Sequence, residues 1–171
     1  MIRPEYRTSE FWNKVWSRPY ENYIKHHLVI WKEIRERSFG EILDLGCGSA
    51  SCWTGSKIVG VDFSDQAIVE AYKNCPDGEF IVSSIESVPI DKKFDTVVLN
   101  GVINYFPDLS KIRSEATRLS KNQVIVTINM LEDFPGRVWN QFTIDEEFGK
   151  WGLIREMVLF EKIAWLIRIT V

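Results

Sequence analysis

The sequence predicts an α/β fold in which an open, mostly parallel sheet of seven strands carries helices on both faces and ends in an antiparallel hairpin. Short apolar runs rich in β-branched residues alternate with amphipathic helical patterns, which is typical of parallel strands covered on both faces. These runs occupy 41–45, 57–62, 79–83, 94–99 and 124–128. Two more extended runs, 153–160 and 163–171, are joined by only two residues. Because a parallel crossover needs about a dozen residues, this last pair must be antiparallel.

Helical patterns precede the first strand. Ser9 is a suitable N-cap for a helix over 10–16. Apolar and aromatic residues then recur at three- and four-residue steps from Tyr20 to Ile34, and Gly40 follows as a stop signal. Most tryptophans and tyrosines lie in this region or after the fifth strand. We therefore expect the aromatic side chains to cover a ligand site, while Val, Ile and Leu build the sheet.

Three further helices are predicted between and after the strands. Ser64 caps a helix that runs to Asn74. Thr143 and Glu146 have the spacing of a capping box for a short helix that ends at Lys150. The buried faces should carry Ile68, Ala71 and Tyr72 in the first of these helices, and Leu109, Ile112, Ala116 and Leu119 in the helix before the fifth strand.

The composition predicts one globular domain. The chain has 171 residues and a formal net charge of −3, so it lacks the net basic surface that binds a nucleic-acid duplex. No run approaches the ~18 apolar residues of a membrane span. Three cysteines without metal-ligand spacing predict reduced thiols in a cytoplasm and no metal site. We expect a helical cap over 1–40, a cofactor-binding βαβ core over 41–128, and a substrate-side loop, short helix and hairpin over 129–171.

A strand followed by a glycine turn is the main functional signal. Gly46 and Gly48 follow the first run, and Asp62 ends the second. Ligands of open parallel sheets bind at the carboxyl ends of the strands, and glycines let the backbone approach them closely. The third position of a dinucleotide fingerprint is Ser51, and Asp44 would repel a pyrophosphate but attract a sulfonium or an ammonium. The turn therefore favours a cationic ligand over NAD, although a tight strand-to-helix turn alone would also use glycines.

At these residues the chain resembles a known family. The segments 42–48 and 59–64 are similar to the first two motifs of the Rossmann-like S-adenosylmethionine-dependent methyltransferases. The segments 83–89 and 94–108 resemble the stretch after the third strand and the fourth strand with its turn in that family. The resemblance implies a Rossmann-like sheet, S-adenosyl-L-methionine as cofactor and methyl transfer as the activity.

The resemblance also implies a set of cofactor-binding residues. Asp44 would lie by the ammonium of the methionine part, Asp62 would bind the ribose hydroxyls, and Phe63 would pack beside the adenine. Ser84 stands where the family often has Asp, so its contact with the adenine amine lacks charge assistance. The full set is Asp44, Gly46, Cys47, Gly48, Asp62, Phe63, Ser84, Ile85, Asn100 and Val102.

Two departures from the family concern catalysis and shape. Only 14 positions separate Gly48 from Asp62, so the first crossover helix must be very short. The frequent His pair of the fourth motif is replaced by Asn104 and Tyr105, so no ready general base is present and no catalytic residue is assigned. A hydroxyl acceptor would need a base, for which the candidates are His26, His27 and Asp133.

The methyl acceptor is left open by the sequence. A substrate-recognising wall is expected from Arg137 and Trp139 after the fifth strand and from Tyr105, whereas Phe142 is expected to pack on the core. Tyr6 and Arg7 either close on the cofactor carboxylate or belong to a loosely ordered N-terminus. A small molecule is the first choice of acceptor. RNA or protein, an inactive cofactor-binding subunit and an oxidoreductase are the alternatives, and the oligomeric state is not predicted.

Overall fold

Seven strands form a single sheet in the order β3-β2-β1-β4-β5-β7-β6. The computed structural model describes residues 4–17, 24–129, 139, 141–160 and 164–171. The strands are β1 (Ile42–Leu45), β2 (Val59–Asp62), β3 (Glu79–Val82), β4 (Phe94–Asn100), β5 (Ser120–Asn129), β6 (Leu153–Phe160) and β7 (Ala164–Thr170). The helices are α1 (Ser9–Trp16), α2 (Ile24–Arg37), α3 (Asp65–Asn74), α4 (Ser110–Leu119) and α5 (Gln141–Phe148).

The strand pairing confirms the predicted fold class. β3, β2, β1, β4 and β5 are parallel neighbours, and β7 is antiparallel to both β5 and β6. The chain runs outward from β1 to β3 and then returns to place β4 on the other side of β1. The strand order therefore reverses between β1 and β4, which is where ligands of such sheets bind.

The sheet has a buried cluster on each face. One cluster joins β1, β4 and β5 to α4 and α5 through residues such as Leu43, Leu99 and Phe148. The other joins the opposite face to α2 and α3 through Ile34 and Val98 among others. No helix among the described ranges has the length and apolarity needed to cross a bilayer.

The predicted helices agree with the structure except at three points. Thr8, not Ser9, caps α1, since its side chain accepts a hydrogen bond from the Phe11 N–H. The α5 helix begins at Gln141, so the capping box predicted from Thr143 is wrong, because the same spacing also occurs inside a helix. Tyr72 is 46% exposed and lies at the margin of its helix, where its hydroxyl accepts a hydrogen bond from a backbone N–H of β3.

The first crossover is as short as predicted, and α2 covers the space beside it. Between β1 and β2 the only helical element is a 3₁₀ turn, Ser51–Trp53. Arg35 of α2 donates from Nη1 to the Cys52 carbonyl at 2.7 Å. Ile30 and Trp31 of α2 belong to the same buried cluster as Trp53. A helix from before the first strand thus supplies the packing that the short crossover lacks.

Candidate functional site

The ten residues predicted to bind the cofactor all line one cleft. It lies at the carboxyl ends of β1, β2 and β4 and has a volume of about 560 Å³, within the usual range for small-molecule sites. Tyr105 lines it as well, and the N-terminal segment supplies one wall. Described residues of that wall are Tyr6, Arg7, Phe11, Trp12, Val15, Trp16, His27 and Trp31.

The glycine turn requires glycine for two physical reasons. Gly46 has φ +76° and Gly48 has φ +51°, a region that favours glycine. A Cβ on Gly46 would also lie 2.5 Å from Cγ2 of Val102. The N–H groups of Gly46 and Cys47 both donate to the Val61 carbonyl, at 2.7 and 3.1 Å. The turn is therefore held against β2, and its backbone faces the cleft without side chains in between.

Asp62 is buried at the end of β2 and ties two backbone segments together. Its Oδ2 accepts a hydrogen bond from the Gly48 N–H at 2.9 Å, and its Oδ1 accepts one from the Ser64 N–H at 2.9 Å. Burial raises the pKa of Asp62 to about 6, although these backbone N–H groups oppose the shift. A carboxylate in this position can still accept hydrogen bonds from a ligand, since each oxygen has two lone pairs.

Asp44 is buried at the end of β1 with one oxygen unpartnered. Its Oδ2 accepts a hydrogen bond from Nε1 of Trp53 at 2.7 Å, while its Oδ1 has no hydrogen-bond partner among the described residues. Burial raises the pKa of Asp44 to about 7, the Trp53 N–H opposes this shift, and the negative charge of Asp62 adds to it. Neither carboxylate forms an ion pair within the described part of the chain. The pair therefore fits a ligand that brings positive charge and hydrogen-bond donors.

The β4 and β5 side of the cleft carries amides instead of acids. Thr127 donates its hydroxyl hydrogen to Oδ1 of Asn100 at 2.8 Å and accepts the Gly101 N–H at 2.9 Å. Asn104 is buried and bonds both backbone groups of Asn129: its Nδ2 donates to the carbonyl at 3.0 Å, and its Oδ1 accepts the N–H at 3.2 Å. Sequence reasoning missed Thr127 and Asn129, and no local signal identifies them.

Aromatic rings of the N-terminal segment pack on Tyr105 at this side of the cleft. The ring centroids of Tyr6 and Trp12 lie 5.6 and 4.9 Å from that of Tyr105, both edge to face. Arg7 lies over the Phe106 ring at 5.5 Å and its Nη2 is 3.4 Å from Oε2 of Glu86. The structure thus supports the interpretation that Tyr6 and Arg7 close on the site.

Trp16 anchors the segment over the glycine turn. Its Cζ2 atom lies 2.5 Å from where a Cβ on Gly48 would be, so glycine is needed here for the close approach of the indole. Ser64 donates its hydroxyl hydrogen to Oδ1 of Asn13 at 2.5 Å, which fixes α1 to the start of α3. Gly48 and Ser64 thereby hold the N-terminal wall in place through Trp16 and Asn13.

The remaining predicted residues lie elsewhere. Trp139 does not line the cleft: it is 3% exposed and packs on Phe148 in the core, which favours packing over acceptor binding. Phe142 is 75% exposed, so its predicted packing on the core is wrong, because it lies on an outward face of α5. Arg137 and Asp133 lie outside the described residues, as does the side chain of His26.

Among the described residues, His27 is the candidate base that lines the cleft. It is half-buried, lines the cleft and stacks on Trp31 with ring centroids 6.0 Å apart. No cluster of His, Cys, Asp or Glu within the described ranges has the arrangement of a metal site.

Comparisons with known proteins identify the family. The family model described as "Methyltransferase domain" matches residues 37–158. The ubiquinone biosynthesis O-methyltransferase of Pelagibacter ubique (strain HTCC1062) is 28% identical over 124 residues, which cover 64% of this chain. These residues are 51% of the relative, so the chain spans about half the length of the curated relative that it matches.

Solved structures share the fold. A Haloferax volcanii methyltransferase in complex with the Trm112 methyltransferase activator aligns with a TM-score of 0.76 at 17% identity, over 94% of this chain and 96% of the other. Magnesium protoporphyrin IX methyltransferase of Synechocystis PCC 6803 with bound S-adenosylmethionine aligns with a TM-score of 0.65 at 17% identity, over 85% and 76%. The sheet order, the cleft at its switch point and the matching family model together show that this chain belongs to the family of S-adenosylmethionine-dependent, Rossmann-like methyltransferases.

Proposed function

We propose that the cleft binds S-adenosyl-L-methionine and that the chain transfers its methyl group to a small-molecule acceptor. One observation carries the proposal: two buried carboxylates, Asp44 and Asp62, face the same cleft without a cation within the described residues. The charge and hydroxyl donors of this cofactor suit them, whereas the pyrophosphate of a dinucleotide would be repelled. The oxidoreductase alternative is therefore disfavoured.

Each part of the cleft has a proposed task in holding the cofactor. The unpartnered Oδ1 of Asp44 accepts a hydrogen bond from the ammonium, and Asp62 accepts hydrogen bonds from the ribose hydroxyls. The glycine turn leaves room for the methionine part. The adenine lies between Phe63 on one side and Ser84 with Ile85 on the other, all of which line the cleft.

The chemistry proposed for the chain is positioning. The bound cofactor supplies an electrophilic methyl group, and a nucleophile held in line at near-attack distance can gain ~7–11 kcal/mol of rate acceleration without a side-chain base. Asn100 and Val102, together with Tyr105, line the β4 side of the cleft, where we place the acceptor beside the methionine part of the cofactor. His27 is half-buried and lines the cleft, and no proton transfer is assigned to it.

A small molecule is favoured as acceptor by the shape of the site. The N-terminal segment contacts Tyr105 and Phe106, so the described part of the cleft is walled and not an open groove. The curated relative is named for ubiquinone biosynthesis and one structural neighbour for magnesium protoporphyrin IX, both of which are small molecules. The three cysteines are free and buried, which supports the proposed cytoplasmic location. We retain the division into a cap (1–40), a core (41–128) and a substrate-side region (129–171).

A partner-dependent methyltransferase is the second candidate. The observation in its favour is that one structural neighbour was solved with its activator. In that case this chain would bind the cofactor alone but consume it only in the presence of the partner.

Calorimetry with S-adenosylhomocysteine tests the binding proposal. Asp62→Asn and Asp44→Asn should each weaken binding by about 100-fold, since hydrogen bonds to charged groups contribute about 1.5–3 kcal/mol each. Asp77→Asn is the matched control, because it removes an exposed carboxylate outside the cleft and should leave the affinity unchanged. Unchanged affinity in both cleft variants, with native circular dichroism, would reject the site. The protein is then incubated with methyl-labelled S-adenosylmethionine and a small-molecule cell extract. An active enzyme transfers the label to an acceptor, whereas an inactive cofactor-binding subunit does not.

A further inference from the structure

The side-chain amide of Asn100 has a fixed orientation at the carboxyl end of β4. Its Oδ1 accepts the hydroxyl hydrogen of Thr127 at 2.8 Å, and the same hydroxyl oxygen accepts the Gly101 N–H at 2.9 Å. Asn100 is half-buried and lines the cleft. With the oxygen bound to Thr127, the two N–H groups of Nδ2 are the part of this side chain left for a molecule in the cleft.

The opposite amide orientation would leave a buried hydroxyl unpaired. If Nδ2 of Asn100 faced Thr127, the Thr127 oxygen would accept two hydrogen bonds and its own hydrogen would need another acceptor. Thr127 is fully buried, and its hydroxyl has no second acceptor among the described residues. Since burying a donor without an acceptor is unfavourable, the observed orientation is the stable one. The amide therefore offers donors, not an acceptor, to the cleft.

Toward β5 the surroundings of Asn100 are neutral, while β1 with Asp44 lies on its other side. Asn129, at the end of the neighbouring strand β5, also lines the cleft, and Asn104 holds its backbone in place at both the N–H and the carbonyl. Arg7 also lines the cleft, where it lies over the Phe106 ring and pairs with Glu86. The aromatic rings of Tyr6 and Tyr105 complete this end. Donors and flat apolar surfaces thus predominate there.

We propose that Asn100 is a specificity-determining residue that selects an oxygen nucleophile, a phenolate or carboxylate carried on a planar molecule. This inference rests on the proposed function. An N–H of Asn100 donates to a lone pair of the acceptor oxygen, while an amine acceptor would meet N–H groups with its own N–H. A lone pair on the anionic oxygen forms the new bond to the methyl carbon, and the methyl–sulfur bond breaks. The electron pair of that bond stays on the sulfur of the departing thioether, so no proton has to be removed.

A matched set of small aromatic probes tests the inference. Benzoate, 4-nitrophenolate, aniline, benzylamine and thiophenol are each incubated with the protein and methyl-labelled S-adenosylmethionine, and the methylated products are separated. We expect label on the oxygen of benzoate or 4-nitrophenolate, at least tenfold above label on any nitrogen or sulfur. Preferred label on an amine or on the thiol would overturn the inference, and so would no label on either oxygen probe while S-adenosylhomocysteine still binds. Failure of S-adenosylhomocysteine to bind would instead reject the proposed function.

Two variants separate selection from a merely structural role. In Asn100→Asp one oxygen still accepts from Thr127, but the other carries negative charge into the cleft, so the ratio of oxygen to nitrogen methylation should fall at least tenfold. Thr127→Val releases the amide, which can then turn either end to the cleft, so the same ratio should fall by a smaller factor. S-adenosylhomocysteine affinity is measured in parallel and the ratio is taken at saturating cofactor, so that a change in cofactor binding is separated from selection of the acceptor. An equal loss on all probes in both variants would overturn the role of Asn100.

Discussion

The two halves of the cleft use different polar groups. The acidic half, formed by Asp44, Asp62 and the glycine turn 46–48, presents buried carboxylates at the ends of β1 and β2. The amide half, formed by Asn100 and Asn129 at the ends of β4 and β5, presents neutral side chains and is walled by aromatic rings. The strand order places β1 and β2 on one side of the switch point and β4 and β5 on the other.

The difference shows how one sheet edge can hold two unlike ligands. Burial without a counter-ion makes the ionised forms of Asp44 and Asp62 unfavourable until a cation binds beside them. This half is therefore suited to a charged cofactor. The amide half has its polar groups fixed by Thr127 and Asn104, so it is suited to discriminate among uncharged or anionic acceptors by hydrogen-bond direction. Substitutions in the acidic half should therefore affect cofactor affinity. Substitutions in the amide half should affect which acceptor is methylated.

A methyl group on the glycine turn should have the largest effect. In Gly46→Ala the new Cβ would meet Cγ2 of Val102 at 2.5 Å, and φ is +76°. We expect loss of S-adenosylhomocysteine binding by more than 100-fold in calorimetry. Gly55→Ala is the matched control, because Gly55 has the same φ of +76° with nothing within 4 Å. It should lose about 1–2 kcal/mol of stability from backbone strain alone and bind normally. Equal affinity in the two variants would contradict the proposed position of the cofactor.

The pH dependence of binding should show the next largest effect. The pKa values of Asp44 and Asp62 are raised to about 7 and about 6, and a cationic ligand binds their ionised forms. From pH 8 to pH 5 the affinity should fall by about 100-fold or more, with about tenfold per pH unit for each proton taken up. Calorimetry in buffers of different ionisation enthalpy should detect proton release on binding. An affinity that does not vary between pH 8 and pH 5 would show that the acidic half does not bind the cofactor.

The same pKa values determine the direction in which the stability of the ligand-free protein changes with pH. Both lie above the ordinary value of 3.8, so between about pH 4 and 7 the folded chain binds more protons than the unfolded chain. The free energy of unfolding contributed by these groups therefore falls as pH rises through this window. Thermal melting at a series of pH values, repeated with Asp44→Asn, measures the contribution.

A smaller effect is expected from Trp53→Phe. The indole N–H of Trp53 opposes the upward shift of the Asp44 pKa, so its removal should raise that pKa further. Cofactor affinity at pH 7 should fall by about tenfold, the worth of one hydrogen bond to a charged group, and recover at higher pH. Trp151→Phe is the control, since Trp151 is also buried and donates to a carboxylate, Glu147, outside the cleft. A loss of affinity that is the same at all pH values would indicate a packing role only.

The acidic half could be predicted from the sequence because its information is local. A strand that ends in Asp44 and runs into Gly46 and Gly48 is contained in a few consecutive residues, and the apolar alternation around it fixes the sheet. The amide half depends on which end of the Asn100 amide, the oxygen or the nitrogen, meets Thr127 on a neighbouring strand. That contact spans 27 positions, and no periodicity in the sequence encodes it.

The errors have the same physical origin. Trp139 and Phe142 were assigned from their position after the fifth strand, but burial is decided by α5, which packs Phe148 inward against Trp139 and leaves Phe142 outside. The Thr143 cap failed because side-chain spacing alone does not show where the backbone enters a helix. In each case the course of the backbone into and along α5, not side-chain spacing, decides the outcome.

The hydrogen bond between Trp53 and Asp44 also gives the site an intrinsic NMR probe. The chain has seven tryptophans, so its indole N–H resonances are few and easily assigned by single Trp→Phe variants. Trp53 is 2% exposed, and its indole Nε1 donates to Oδ2 of Asp44 at 2.7 Å. The NMR chemical shift of this indole proton should follow the charge of that carboxylate, and its exchange with deuterium should be slow. Nuclear magnetic resonance of a single side chain can thus record both the ionisation of Asp44 and the arrival of the cofactor, before any acceptor has been identified.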